Sequence, residues 1–313
     1  MGSGKGPSGV SVQRRQGKDP LIVHDNGLQY PVFEVFSSPE AKVAKMDAEG
    51  IDLSIVSISP SLFLYWLDPG ETDEVCRGLN EAAARLAADS RGRIKAMATV
   101  AMNDPQAAAA ELRRAREELG LVGAEIGTSV GSVQLDAAEL DVFFAAAEEL
   151  EMPIMLHPYI GMVTAPEAGL EGFHLGNVVG NPTETFIAAS RLITGGVFDR
   201  HPRLNVLLVH GGGSFPFQLG RLDHAYDVRD ETSSVARRPP REYLDRFYFD
   251  TVIFDPRSLE FLIEFAGPSH VVFGTDLPFD MADVSGRRLA DQLDDEIAEG
   301  VLGGNAAKLY KIE

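Results

Sequence analysis

Residues 204–217 read Leu204-Asn205-Val206-Leu207-Leu208-Val209-His210-Gly211-Gly212-Gly213-Ser214-Phe215-Pro216-Phe217. A short, nearly unbroken apolar run ends on a histidine, and three glycines then turn the chain into a segment with helical spacing. This is the pattern of a buried parallel strand feeding a crossover helix. From residue 50 onward the unit recurs: strand candidates lie at 51–59, 94–101, 122–127, 154–157, 204–210, 247–252 and 270–275, separated by amphipathic stretches. Such alternation predicts an α/β fold.

The helix starts support the same reading. Asp104-Pro105, Asn181-Pro182 and Asp255-Pro256 each offer a side-chain oxygen for an orphan amide and a proline where no N–H is needed. Asp136 and Glu139 have capping-box spacing. Seven strand-helix units are one short of a closed (β/α)8 barrel, so the fold class expected is a TIM-like barrel lacking its first strand. Residues 1–19, rich in Gly, Ser, Lys and Arg, read as a flexible tail. Residues 20–36, with Asn26-Gly27 between apolar segments, read as a hairpin insertion. The remainder, 37–313, reads as one barrel domain, opening with a helix from Pro39 to Glu49.

Composition narrows the partners. The 313 residues are 44% hydrophobic and 24% charged, as in an ordinary globular protein. Lys and Arg total 28 against 47 Asp and Glu, a formal charge of −19. That balance lacks the basic field that nucleic acid or an anionic membrane requires. No apolar run approaches the roughly 20 residues of a membrane span. The N-terminus has no apolar core of a secretory signal. The single cysteine, Cys76, forms no internal disulfide, which fits a reducing cytoplasm.

In parallel α/β barrels the chemistry sits at the C-terminal ends of the strands. Three polar residues end apolar runs there: His157, His210 and Asp276. One such histidine alone is more often a structural hydrogen-bonding residue than a ligand. Two imidazoles and a carboxylate at one mouth suit a divalent metal or an acid-base pair. The glycines after His210 are open to two readings, a cradle of amides for an anionic ligand or a tight strand-to-helix turn. Tyr65 and Trp66 either line a pocket or anchor a loop. His201 and His270 read as solvent-facing at strand entries, and the acidic run 291–299 as a solvated helix face.

Leu156-His157-Pro158, the 210–217 stretch, Gly220-Arg221-Leu222-Asp223-His224, Gly274-Thr275-Asp276-Leu277-Pro278-Phe279 and Gly304-Asn305-Ala306 together resemble the amidohydrolase-related metal-dependent decarboxylases. The nearest likeness is to the aminocarboxymuconate semialdehyde decarboxylase branch, from about residue 37 to the C-terminus. The resemblance implies a homodimeric barrel with one divalent metal, commonly zinc, and a small carboxylic acid as substrate. It assigns His157 and Asp276 as metal ligands and His210 as the acid-base beside a metal-bound water. Arg221 is implied to reach a substrate carboxylate, and Phe279, Trp66 and Tyr65 to line the pocket.

Two departures qualify it. The family carries a His-x-His pair on its first strand, and this sequence has none. The absence coincides with the missing strand, which implies an N-terminal truncation or a natural variant, weak metal binding and low activity. No arginine occurs from Asp19 to Cys76 where the branch has one, so an aromatic or heteroaromatic acid is expected rather than a muconate-type dicarboxylate. The same scaffold also supports a hydrolase or hydratase. A metal-free, non-catalytic barrel is the third reading.

Overall fold

A computed structural model of the chain describes residues 7–25, 27, 29–159, 169–284 and 293–312. Asn26 and Leu28 of the expected hairpin, and residues 291 and 292 of the acidic run, lie outside the described residues. The chain divides into two compact units, Met1–Leu121 and Val122–Glu313, where the sequence predicts one domain over 37–313.

The first unit opens with an antiparallel sheet of β1 (Val10–Arg15), β2 (Lys18–His24) and β3 (Gln29–Pro31). Residues 1–6 of the expected flexible tail lie outside the described residues, and from Val10 onward that expectation is corrected by β1, which pairs Val10 with His24 and Val12 with Ile22. Most β1 side chains are exposed, so ladder hydrogen bonds rather than burial hold it. Helix α1 (Pro39–Glu49) is capped by the Ser38 hydroxyl, which accepts from Ala41 N, and it ends at Gly50 in the left-handed conformation. Strand β4 (Ser54–Val56), helix α2 (Pro69–Asp89), strands β5 (Ile94–Ala96) and β6 (Ala98–Thr99) and helix α3 (Pro105–Glu117) complete the unit, with β4 and β5 paired in parallel. Asp104 caps α3 as expected, accepting from the amides of Gln106 and Ala107.

Glu111 on α3 is fully buried. It accepts from Asn80 Nδ2 at 2.7 Å, Arg114 Nε at 2.7 Å and Arg77 Nη1 at 3.0 Å, while Asn80 Oδ1 takes the Thr99 amide at 2.8 Å. A buried carboxylate is tolerated because all of these donors face it. The network ties α2, α3 and β6 together.

The second unit is built on five parallel strands in sequence order: β7 (Ala124–Gly127), β8 (Ile154–His157), β9 (Val206–Leu208), β10 (Phe247–Asp250) and β11 (Val271–Val272). Helices α4 (Asp141–Glu149), α5 (Asn181–Thr194), α6 (Val197–Arg200), α7 (Phe215–Val228), α8 (Asp230–Ser233) and α9 (Pro256–Ala266) lie between them. Two short helices, α10 (Asp295–Glu299) and α11 (Asn305–Tyr310), close the chain. All seven predicted strand regions carry strand, with 94–101 divided between β5 and β6. Phe198, Phe215, Phe247 and Phe249 are fully buried, and the Phe247 ring lies 5.1 Å from Phe198 and 5.2 Å from Phe215. Burying such rings is worth roughly 1.5–3 kcal/mol each before entropy.

Two expected caps are corrected. Asn181 is itself helical, because a π-helical turn, Gly176–Gly180, already runs into α5. Asp136 does not cap α4, which grows from a 3-10 turn over Ala138–Leu140; its carboxylate pairs with Arg191 at 3.4 Å instead. His201 is also corrected: it is buried, with Nε2 2.9 Å from Asp141 Oδ1.

Candidate metal centre and active site

His157 is the last residue of β8, His210 follows β9 by two residues, and Asp276 follows β11 by four. Parallel pairing of β8 with β9, β9 with β10 and β10 with β11 brings these three strand ends to the same edge of the sheet. The two imidazole rings stand 5.0 Å apart, nearly perpendicular at 79°. One ligand atom from each of His157, His210 and Asp276 lies within 4.8 Å of the others. The sequence-predicted triad is therefore one cluster.

His157 Nδ1 lies 2.6 Å from the Pro158 carbonyl oxygen. That geometry assigns the ring hydrogen to Nδ1 and leaves the Nε2 lone pair free for a cation. Burial, and then the neighbouring His210, push the His157 pKa down to about 3, against the opposing hydrogen bond to Pro158. Burial alone pushes His210 down to about 4. Both rings are thus neutral donors at physiological pH. Burial, followed by repulsion from Asp250 and Asp280, raises the Asp276 carboxyl to about 7. A carboxyl so penalised when ionised, beside two neutral imidazoles, is relieved by a divalent cation. Two nitrogens and one oxygen suit a divalent transition-metal ion, either borderline zinc or harder manganese. The residues present fit such an ion.

The backbone at the site is strained. His210 has φ +56° and Asp276 φ +54°, in the left-handed region that non-glycine residues rarely enter. Gly211, Gly212 and Gly213 continue at positive φ. A Cβ on Gly211 would stand 2.2 Å from Ile253 Cγ2, and one on Gly213 would stand 2.5 Å from the Pro182 carbonyl oxygen. The amides of this turn are already committed: Gly211 donates to Asp250, Gly212 to Val209, Gly213 to His210 and Ser214 to Pro182. The anion-cradle reading is therefore corrected in favour of a tight turn.

Next to the cluster is a cavity of about 450 Å³, whose walls include His210, Asp276, Asn177, Phe217, Phe254, Phe261 and Met281. It has room for a small aromatic acid and offers aromatic faces to it. The chain matches the amidohydrolase family model over residues 35–312. The chain belongs to the amidohydrolase family.

Among relatives of this amidohydrolase is the 2-amino-3-carboxymuconate-6-semialdehyde decarboxylase of Dictyostelium discoideum, 31% identical over 281 residues, covering 88% of this chain and 77% of the relative. Among solved structures, the 5-carboxyvanillate decarboxylase of Sphingomonas paucimobilis matches with a TM-score of 0.81 and 26% identity, over 87% of this chain and 83% of that one. The dihydroxybenzoic acid decarboxylase of Polaromonas sp. JS666, solved with manganese and the inhibitor 2-nitroresorcinol, matches with a TM-score of 0.79 and 27% identity, over 87% and 86% of the two chains. These neighbours place the amidohydrolase in the TIM-like barrel class.

Of the remaining expected site residues, Arg221 and Phe279 lie in the second unit with the triad. Arg221 lies on α7, exposed, with no ion pair among the described residues. Phe279 is half-buried in the turn after Asp276, its amide donating to the Asp276 carbonyl. In the first unit, Tyr65 is buried and stacked on Phe63 at 5.5 Å. Trp66 is 45% exposed and meets the His24 ring edge-on at 5.5 Å. Sequence reasoning missed Phe254, Phe261 and Asn177 as cavity residues. Phe254 follows β10 by four residues, as Asp276 follows β11, so inspecting residues just beyond each strand end would have found it.

Proposed function

We propose that this amidohydrolase is a metal-dependent, non-oxidative decarboxylase of a small unsaturated or aromatic carboxylic acid. The observation that carries the proposal is the convergence of His157, His210 and Asp276, ligand atoms within 4.8 Å, beside a cavity walled by phenylalanines. The named activities of the relatives, all decarboxylases of such acids, support it.

Decarboxylation breaks the bond between the carboxyl carbon and its neighbour, leaves the electron pair on the neighbour, and replaces the carboxyl group by a proton. The chain's residues divide this work. His157 and Asp276 would hold the cation, with His210 completing the donor set or acting on the proton. When bound, a divalent ion supplies Lewis-acid stabilisation of the charge that develops on the substrate. His210, half-buried in the cavity wall and neutral, would take the proton of the substrate's acid group and deliver it to the carbon that loses carbon dioxide. Phe217, Phe254 and Phe261, all exposed in the cavity wall, offer an aromatic ring apolar faces to pack against.

The proposal extends to zinc as the ion, a homodimer, and a cytoplasmic location. Arg221 is its candidate partner for a substrate carboxylate, and Phe279, Trp66 and Tyr65 its remaining substrate contacts. No helix among the described residues is long and apolar enough to cross a membrane. Because the sequence has no His-x-His, metal retention is expected to be weak.

A panel of hydroxybenzoates and muconate-type acids, incubated with the metal-loaded chain, tests the function by product analysis. Carbon dioxide with the decarboxylated ring or chain is the expected product. Hydrolysed or hydrated products without carbon dioxide would transfer the site to the hydrolase or hydratase reading.

A further inference from the structure

We infer that Asp250 is the positioning residue of this centre, fixing where the His210 imidazole stands relative to Asp276. The inference rests on the reading of His157, His210 and Asp276 as a working site. Asp250 is the last residue of β10, the strand between β9, which leads into His210, and β11, which leads into Asp276. It is 7% exposed and faces no basic side chain within hydrogen-bond reach among the described residues. Its partners are backbone amides. Oδ1 accepts from Gly211 N at 2.8 Å and from Val252 N at 3.1 Å, and the His210 amide also donates to the carboxylate.

These bonds fall where the chain most needs them. Residues 210–213 all have positive φ, and His210 has no intrinsic reason to adopt φ +56°. Amides on both sides of its carbonyl point at one carboxylate, which over-determines the turn. The other side of Asp250 meets the second ligand loop. A Cβ built on Gly274 would stand 2.8 Å from Asp250 Cβ, so Gly274 leaves the aspartate the only space it can occupy. The adjacent Thr251 hydroxyl donates to the Gly274 carbonyl at 3.3 Å and accepts the Gly274 amide at 3.2 Å, two residues before Asp276. The Asp250-Thr251 pair thus clamps both turns from the strand between them. Asp250 does not line the cavity, so it acts through His210 and not on substrate.

Crystal structures of metal-free wild type, Asp250→Asn and Asp250→Ala test this without relying on activity. Asparagine retains an Oδ1 acceptor, so His210 is expected to keep φ near +56° and its ring near 5.0 Å from His157. Alanine is expected to release the turn and move the ring by more than 1 Å. Titration with manganese is expected to show Asp250→Asn within about threefold of wild type and Asp250→Ala weakened by about 10–100-fold, the range for supporting residues of metal sites. Should alanine prevent folding, Asp250→Ser, whose shorter side chain cannot reach both amides, takes its place. An unmoved His210 with manganese affinity within threefold of wild type in the alanine or serine variant overturns the inference. So does an asparagine variant as displaced and as weak as alanine, which would make charge and not acceptor geometry the determinant. Absence of carbon dioxide release by wild type would count against the proposed function while leaving the His210 coordinates to decide this point.

Discussion

The His157 ring stands nearly perpendicular to the His210 ring, 5.0 Å away, and its Nδ1 is tied to the Pro158 carbonyl. One nitrogen is spent on orientation, so the tautomer is fixed and the other nitrogen keeps its lone pair. The pair is arranged as lone-pair donors. Replacing His157 by alanine is expected to weaken divalent metal binding by more than about 100-fold, since it removes a ligand and not merely its support. Elemental mass spectrometry after dialysis, beside a melting curve showing an intact fold, checks this.

The turn after His210 leaves no room for side chains. Gly213→Ala would place a Cβ 2.5 Å from the Pro182 carbonyl oxygen at φ +57°, against backbone that has little freedom to yield. A loss of about 2–4 kcal/mol is expected from the left-handed conformation and overpacking together. Urea denaturation of the variant measures it; Gly220→Ala, with nothing within 4 Å of the added Cβ, is the control and is expected to be nearly neutral or slightly stabilising.

Breaking the Glu111 network has a different mechanism. Glu111→Ala leaves the Asn80 amide and the partly buried Arg114 guanidinium without their acceptor, and a loss of about 3–5 kcal/mol is expected. Glu111→Gln, which keeps acceptor oxygen at the same place, is expected to lose less. Thermal unfolding of both variants separates the two.

Acid sensitivity should trace in part to Asp141. Burial pushes its carboxyl up, but hydrogen bonds from Arg200 and His201 outweigh burial and hold it below its ordinary value of 3.8. A depressed folded-state pKa gives stabilisation that is fully present above 3.8 and is lost as pH falls through the lower folded-state value. Asp141→Asn is therefore expected to lower stability at pH 7 and to flatten the fall in stability below pH 4, measured by urea titration across pH.

Much of this was legible in the sequence for a stated reason. Parallel strands buried on both faces are continuous apolar runs, so 204–210 and 154–157 mark themselves, and the polar residues ending them mark the site. Asp104 and Asp255 announce their helices because a cap is a local interaction. What the sequence concealed is non-local or carried by backbone. Strand β1 is exposed and ladder-held, so composition says nothing of it. Asn181 resembles a cap, but the upstream π-turn had already begun the helix. His201 depends on Asp141, sixty residues earlier. Asp250 reads as a strand end and becomes meaningful only when three amides point at it.

The most direct test follows carboxyl-¹³C-labelled 2,6-dihydroxybenzoate, and the panel acid turned over fastest if another is preferred, with the chain loaded with one equivalent of manganese or zinc. Release of ¹³CO₂ that requires the metal and falls by at least about 100-fold in His210→Asn is expected, since loss of an acid-base group removes about 10²–10⁴ of rate. Bound metal with no ¹³CO₂ from any acid, or release unchanged in His210→Asn, would contradict the account.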